Sequence, residues 1–97
     1  MIVRIVHMAF RQETLAPFLA LFEQHRDAIS GQPGCTQLQL VQDPEDPLAL
    51  MTISTWDGPE ALDAYRGSAL FGEVWPATKR LFSAPPRAQT LSLLWAS

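Results

Sequence analysis

The stretch Ile2-Val3-Arg4-Ile5-Val6-His7-Met8-Ala9-Phe10 is rich in β-branched and other apolar residues and reads as a strand. Strand side chains alternate between faces, so Ile2, Val6, Met8 and Phe10 share one face and Val3, Ile5 and Ala9 the other. Both faces are apolar. A strand of this kind has to be covered on both sides, which places it in the middle of a sheet.

From Glu13 to Ser30 the period changes to that of a helix. Leu15, Phe18, Leu19, Phe22 and Ile29 recur at steps that make one buried stripe. Pro17 is tolerated only near the start, so the helix should begin between Gln12 and Leu15. Gly31-Gln32-Pro33-Gly34 stops it. Cys35 to Gln42 alternates weakly, and Asp43-Pro44-Glu45-Asp46-Pro47 is turn chemistry. Leu48 to Trp56 is a second strand apolar on both faces, so these two form a hairpin. Asp57-Gly58-Pro59-Glu60 reads as a helix start capped by Asp57, leading into a short helix with Leu62 and Tyr65 that ends at Gly67. Ser68 can cap a further helix carrying Phe71, Val74, Trp75, Thr78, Leu81 and Phe82, which Pro76 should kink or divide. Ala88 to Trp95 is the last strand.

The resulting order, β-α-β-β-α-β, is the ferredoxin-like split βαβ arrangement of the α+β class. One domain is expected over residues 1–97, with a four-stranded antiparallel sheet carrying its helices on one face. The helices are too few to cover both faces, yet the strands are apolar on both. A bare face bearing Val6, Met8, Phe10, Leu50 and Leu93 would be a large exposed patch, and a second copy of the chain would cover it. A homodimer is the expected assembly. Hydrophobic residues make up 47% of the chain and charged ones 18%, a surplus that also asks for a partner surface.

With a net charge of −3 and seven scattered Lys and Arg, the chain has no cationic cluster suited to a phosphate backbone, which excludes nucleic acid. No apolar run reaches the roughly 18–20 residues of a membrane span, and no signal-peptide pattern opens the chain. Cys35 is the only cysteine, so an intrachain disulfide is excluded and a cytoplasmic location is expected. Metal-ligand spacings are absent, and neither a metal nor a cofactor is expected.

Several signposts together resemble the antibiotic biosynthesis monooxygenase family of the dimeric α+β barrel superfamily. They are the strand Ile2–Phe10, Gly31-Gln32-Pro33-Gly34-Cys35, the turn Gln42-Asp43-Pro44, Ser54-Thr55-Trp56-Asp57, and Tyr65-Arg66-Gly67-Ser68-Ala69-Leu70-Phe71. The resemblance runs over essentially the whole chain. It implies a dimeric barrel with a pocket between sheet and helices. Reactions in the family range from cofactor-free oxygenation of anthrones and quinols to haem degradation and the isomerisation of a phosphorylated sugar. Haem-degrading members are similar in using an Asn, a Trp and a His where this chain has His7, Tyr65 and Trp75, so that branch is not expected here.

The implied activity is a cofactor-independent monooxygenase for a small quinol- or anthrone-like substrate. The alternatives are an isomerase of a small metabolite and a non-catalytic ligand-binding or stress-response barrel. His7 reads either as a hydrogen-bonded core histidine or as the base that takes a phenolic proton, for which an imidazole suits. His25, beside the first helix's stripe, is a second candidate. Tyr65 would orient the substrate, with Phe71, Trp75 and Phe22 as the walls of an aromatic pocket. Trp56 and Trp95 are expected at a rim or dimer contact, and Arg4 is expected to pair with a carboxylate across the interface, an anion site being the other reading.

Overall fold

The computed structural model describes residues 1–97. Its elements are β1 (Ile2–Ala9), α1 (Gln12–Ser30), β2 (Cys35–Asp43), β3 (Asp46–Trp56), α2 (Pro59–Arg66), α3 (Ala69–Lys79) and β4 (Arg87–Ser92). The sheet runs β2-β3-β1-β4 and is antiparallel throughout. This is the α+β, ferredoxin-like fold expected from the element order, and β1 is indeed an inner strand, paired to β3 on one side and β4 on the other.

The helices cover the face on which Met8 and Phe10 stand. These two pack with Phe18 of α1 and Leu50 of β3 in the centre of the core, and Val6, Leu15, Phe22, Leu40, Leu81 and Phe82 surround them. The register Met8↔Leu50, Val6↔Thr52, Arg4↔Ser54 carries that face along the sheet. The expectation of a bare face made by Val6, Met8, Phe10 and Leu50 is therefore wrong. The bare face is the opposite one, with Val3, Ile5, His7 and Ala9 of β1, Met51 and Ile53 of β3, and Leu91 of β4. Of the residues named from sequence only Leu93 has its parity, and it lies just past the end of β4, donating its N–H to the Met1 carbonyl. Period-two alternation identifies two faces but not which of them the helices take; here the bulkier Met8 and Phe10 meet the helix stripe.

Smaller corrections have local causes. Leu19, placed in the stripe of α1, is 41% exposed. The cap of α2 is Gly58, without a side-chain cap bond, and Asp57 instead ends β3's approach to the helix with its backbone N–H bound to the Gly34 carbonyl at 2.8 Å. Pro76 does not divide α3, which is continuous from Ala69 to Lys79. The proline removes one backbone bond, to the carbonyl of Gly72, and Gly72 has open space around it. The last strand stops at Ser92, leaving Leu94 and Trp95 exposed beyond it.

The turn before β2 depends on Gly34. It has a φ of 83°, and a Cβ built on it would lie 2.5 Å from that of Ala61 in α2. Gly34→Ala should cost at least about 2 kcal/mol, combining the left-handed penalty of ~1–2 kcal/mol with the overlap. Gly72→Ala, inside a helix with nothing near it, should instead stabilise by ~0.5–1 kcal/mol. Urea unfolding of the pair checks both signs, and equal effects would refute the account of Gly34.

Candidate active site

Between the sheet and the helices lies a cavity of about 170 Å³. Arg4 and Val6 of β1 and Thr52, Ser54 and Trp56 of β3 form its floor. Phe18 and Phe22 of α1, Tyr65 and Arg66 of α2, and Phe71, Val74 and Trp75 of α3 form its walls. Drug-sized ligands occupy roughly 300–1,000 Å³, so this one suits a compound of one or two rings.

Local chemistry sets the walls. Leu62, buried, and Tyr65 stand one turn apart on α2, which turns both toward the sheet. Ser68 then joins α2 to α3: its hydroxyl donates to the Tyr65 carbonyl at 2.6 Å and accepts from the Phe71 N–H at 3.2 Å. That junction sets Tyr65 edge-on to Phe71, with ring centres 5.3 Å apart. Phe71 stacks on Trp75 at 5.8 Å, and Tyr65 stacks on Trp56 at 5.2 Å. Through Phe82, Phe10, Phe18 and Phe22 the ring contacts continue, so every aromatic side chain but Trp95 belongs to one chain of contacts.

The polar groups are few. Trp56, 1% exposed, donates its indole N–H to the Ser54 hydroxyl at 2.9 Å; the rim position expected for it does not hold. The ionisable lining groups are Arg4, Tyr65 and Arg66, with no histidine or carboxylate among them. Arg4 donates to the Thr90 hydroxyl at 2.8 Å. All of the ion pairs involve Arg11 or Arg26, so neither Arg4 nor Arg66 has a carboxylate partner. Arg4 faces the helices and not the bare face, which corrects the expected cross-interface pair. No cluster of three His, Cys, Asp or Glu side chains offers a metal site.

The sequence profile of the antibiotic biosynthesis monooxygenase family matches residues 1–75. The chain belongs to that family. Solved structures agree on the fold. A crystal structure of an antibiotic biosynthesis monooxygenase superposes with a TM-score of 0.89 at 19% identity, covering 97% of this chain and 99% of that one. Rv0793 from Mycobacterium tuberculosis gives 0.90 at 19% identity, covering 99% and 97%. A conserved protein from Methanosarcina mazei Go1 gives 0.87 at 20% identity, covering 93% and 90%. None of the curated protein sequences is significantly similar to the chain. No helix is long and apolar enough to cross a membrane.

Within this family framework, four of the residues singled out from sequence meet at the cavity: Tyr65, Phe71, Trp75 and Phe22. Two do not. His7 stands on the bare face, opposite Met51 and Arg87 in the register, in a shallow depression with Asp43 and Pro85. The reading of His7 as a base lining the cavity therefore does not fit its position, and its side chain is not in the core either. His25, half-buried on α1, lines no cavity. Sequence reasoning missed Arg66 and Trp56 as lining residues. Trp56 shares parity with Ser54 and Thr52, a signal that could have placed it; Arg66 follows Tyr65 in a short helix and carried none.

Tyr65 is pushed up to about 12 by burial first, and then by the negative charge a Cys35 thiolate would carry. Burial raises the Cys35 thiol as well, against a backbone hydrogen bond at Gln37 that lowers it. Tyr65 is the only tyrosine, so alkaline tyrosinate absorbance reports it alone. The native protein should titrate near the raised value of about 12, whereas in urea the midpoint should be near ~10. The raised pKa means folding favours the neutral phenol. Its stabilisation is complete below about pH 10 and is lost as pH climbs to about 12. A native midpoint equal to the unfolded one would contradict the burial described.

Proposed function

We propose that the protein is a cofactor-independent monooxygenase for a small quinol- or anthrone-like aromatic, bound in the cavity of each subunit of a homodimer. Family membership supports the reaction class, and the observation that carries the reading is the aromatic cavity with a single protonated phenol, Tyr65, on its wall. An anthrone-type substrate supplies its own electrons. The lining holds no base, so the substrate's acidic proton passes to solvent, and the delocalised anion left behind reacts with O₂; a methylene becomes a carbonyl, one oxygen atom stays in the product and the other leaves as water. Tyr65, neutral at physiological pH, serves as a hydrogen-bond donor to the substrate oxygen on which charge develops, and not as the base. Phe71, Trp75 and Phe22 hold the rings. His7 and His25 have no part in this chemistry, because neither lines the cavity.

The bare sheet face supports the homodimer. Val3, Ile5, Ala9, Met51, Ile53 and Leu91 make this face, which no helix of the same chain covers, largely apolar around His7, and the same face of a second copy would cover it. We place the protein in the cytoplasm, where its free Cys35 thiol stays reduced.

Oxygen consumption with a panel of anthrones and quinols tests the reaction. Uptake should be accompanied by one ¹⁸O atom from ¹⁸O₂ in the product and the other in water, and Tyr65→Phe should lower kcat on the order of 10²-fold. No uptake above buffer across the panel would overturn the proposal, and so would stoichiometric hydrogen peroxide, the mark of an oxidase. Binding without turnover would favour the non-catalytic barrel.

A further inference from the structure

The chain carries ten acidic residues against seven basic ones, yet the charged groups lining its apolar cavity are two arginines and no carboxylate. Arg4 is half-buried on the cavity face of β1, between the apolar Ile2 and Val6. Its guanidinium is partly desolvated, a cost that an anionic partner would offset. Thr90 accepts one hydrogen bond from it and fixes its direction, which leaves most of its N–H groups uncommitted. Arg66 lies on the same cavity wall as Tyr65, at the solvent side, and is also unpaired. Burial and the nearby Arg66 both disfavour the charge of Arg4, so two like charges stand near enough on the cavity lining to repel each other. Such an arrangement is stabilised by an anion.

We propose that Arg4 and Arg66 form an anion-binding pole of the cavity, and that its ligand is an aromatic acid. The carboxylate sits between the two guanidiniums and the ring system lies against Trp56, Phe71 and Trp75. A carboxylate fits better than a phosphate ester because the cavity of about 170 Å³ must also hold the ring. Arg66 draws the acid from solvent and Arg4 orients it. The proposal rests on the reading of the cavity as the substrate site and adds the chemical class that site selects.

Calorimetric titration without oxygen, at pH 7.5, tests this independently of turnover. The probes are benzoate, salicylate and 1-hydroxy-2-naphthoate, their methyl esters, 1-naphthol and 1-naphthyl phosphate. At this pH the acids are ionised, while the naphthol and the phenols of the esters are largely neutral. At least one acid should bind tenfold or more tightly than its ester. Arg66→Gln, at the exposed end of a helix where the fold tolerates it, should erase most of that preference, and Arg4→Gln should do the same if its circular dichroism is native. A smaller preference for every acid, including failure of all acids to bind, overturns the proposal. So does a preference unchanged by Arg66→Gln, or tighter binding of the naphthyl phosphate than of any acid. If the acid preference stands but no oxygen is consumed, the monooxygenase reading alone falls; if neutral quinols are oxidised with no acid preference, the anion pole alone falls.

Discussion

Trp56→Ala is expected to remove about 3–5 kcal/mol of stability, the range for truncating a large buried aromatic. Trp56 is the largest side chain that is fully buried, at 1% exposure. It closes the end of β3, stacks on Tyr65 and donates to Ser54. Removal leaves the buried Ser54 hydroxyl without its donor and takes away the ring that supports Tyr65. Small domains are stable by only ~5–15 kcal/mol, so the variant should be partly unfolded at 37 °C. The urea midpoint measures the loss, and Trp56→Phe separates its parts: the phenyl ring restores most of the packing but not the hydrogen bond. A loss below ~1 kcal/mol for the alanine variant would mean that Trp56 does not support the cavity wall.

Ile5→Asp and Ile53→Asp are each expected to convert a dimer into a monomer. The two residues face each other across β1 and β3 on the side of the sheet that no helix covers. In an isolated subunit the carboxylate would reach water at little cost. Between two packed sheets it would be buried without a partner, which is costly enough to dissociate the pair. Sedimentation velocity should show the unmodified protein at twice the chain mass and the variants at the chain mass. Val6→Asp, one residue away but on the core side, should unfold the protein rather than dissociate it. A wild-type monomer at micromolar concentration would refute the homodimer.

The contrast between Val6 and Ile5 shows where the sequence was informative. Periodicity alone gave the strands, their order and the helix stripes, because backbone geometry ties period to element type. The helix boundary at Gln12 and the cap at Ser68 followed from local chemistry. Which face of β1 meets the helices is decided by packing across the chain, where Met8 and Phe10 meet Phe18, and no local pattern records that choice. With the faces exchanged, His7 was placed in the cavity and Arg4 on the interface. A single residue of parity thus reversed both functional readings, while Tyr65, Phe71, Trp75 and Phe22 were unaffected because helix stripes have only one buried side. Arg66 was missed for another reason: a charge at the end of a short exposed helix looks the same whether it faces a ligand or solvent.

The chain of aromatic contacts that bounds the cavity also runs through the centre of the core at Phe10 and Phe18. Met8 and Phe18 belong both to the core and to the cavity lining, so a ligand bound in the cavity would pack against the interior itself. Folding and occupancy are then linked equilibria: ligand at a hundred times its Kd adds about 2.7 kcal/mol to the folded state. In a domain of this size each kcal/mol is worth roughly 4–8 °C in Tm, and the unfolded fraction is what proteases remove. The lifetime of the protein in a cell would rise and fall with the supply of its own substrate.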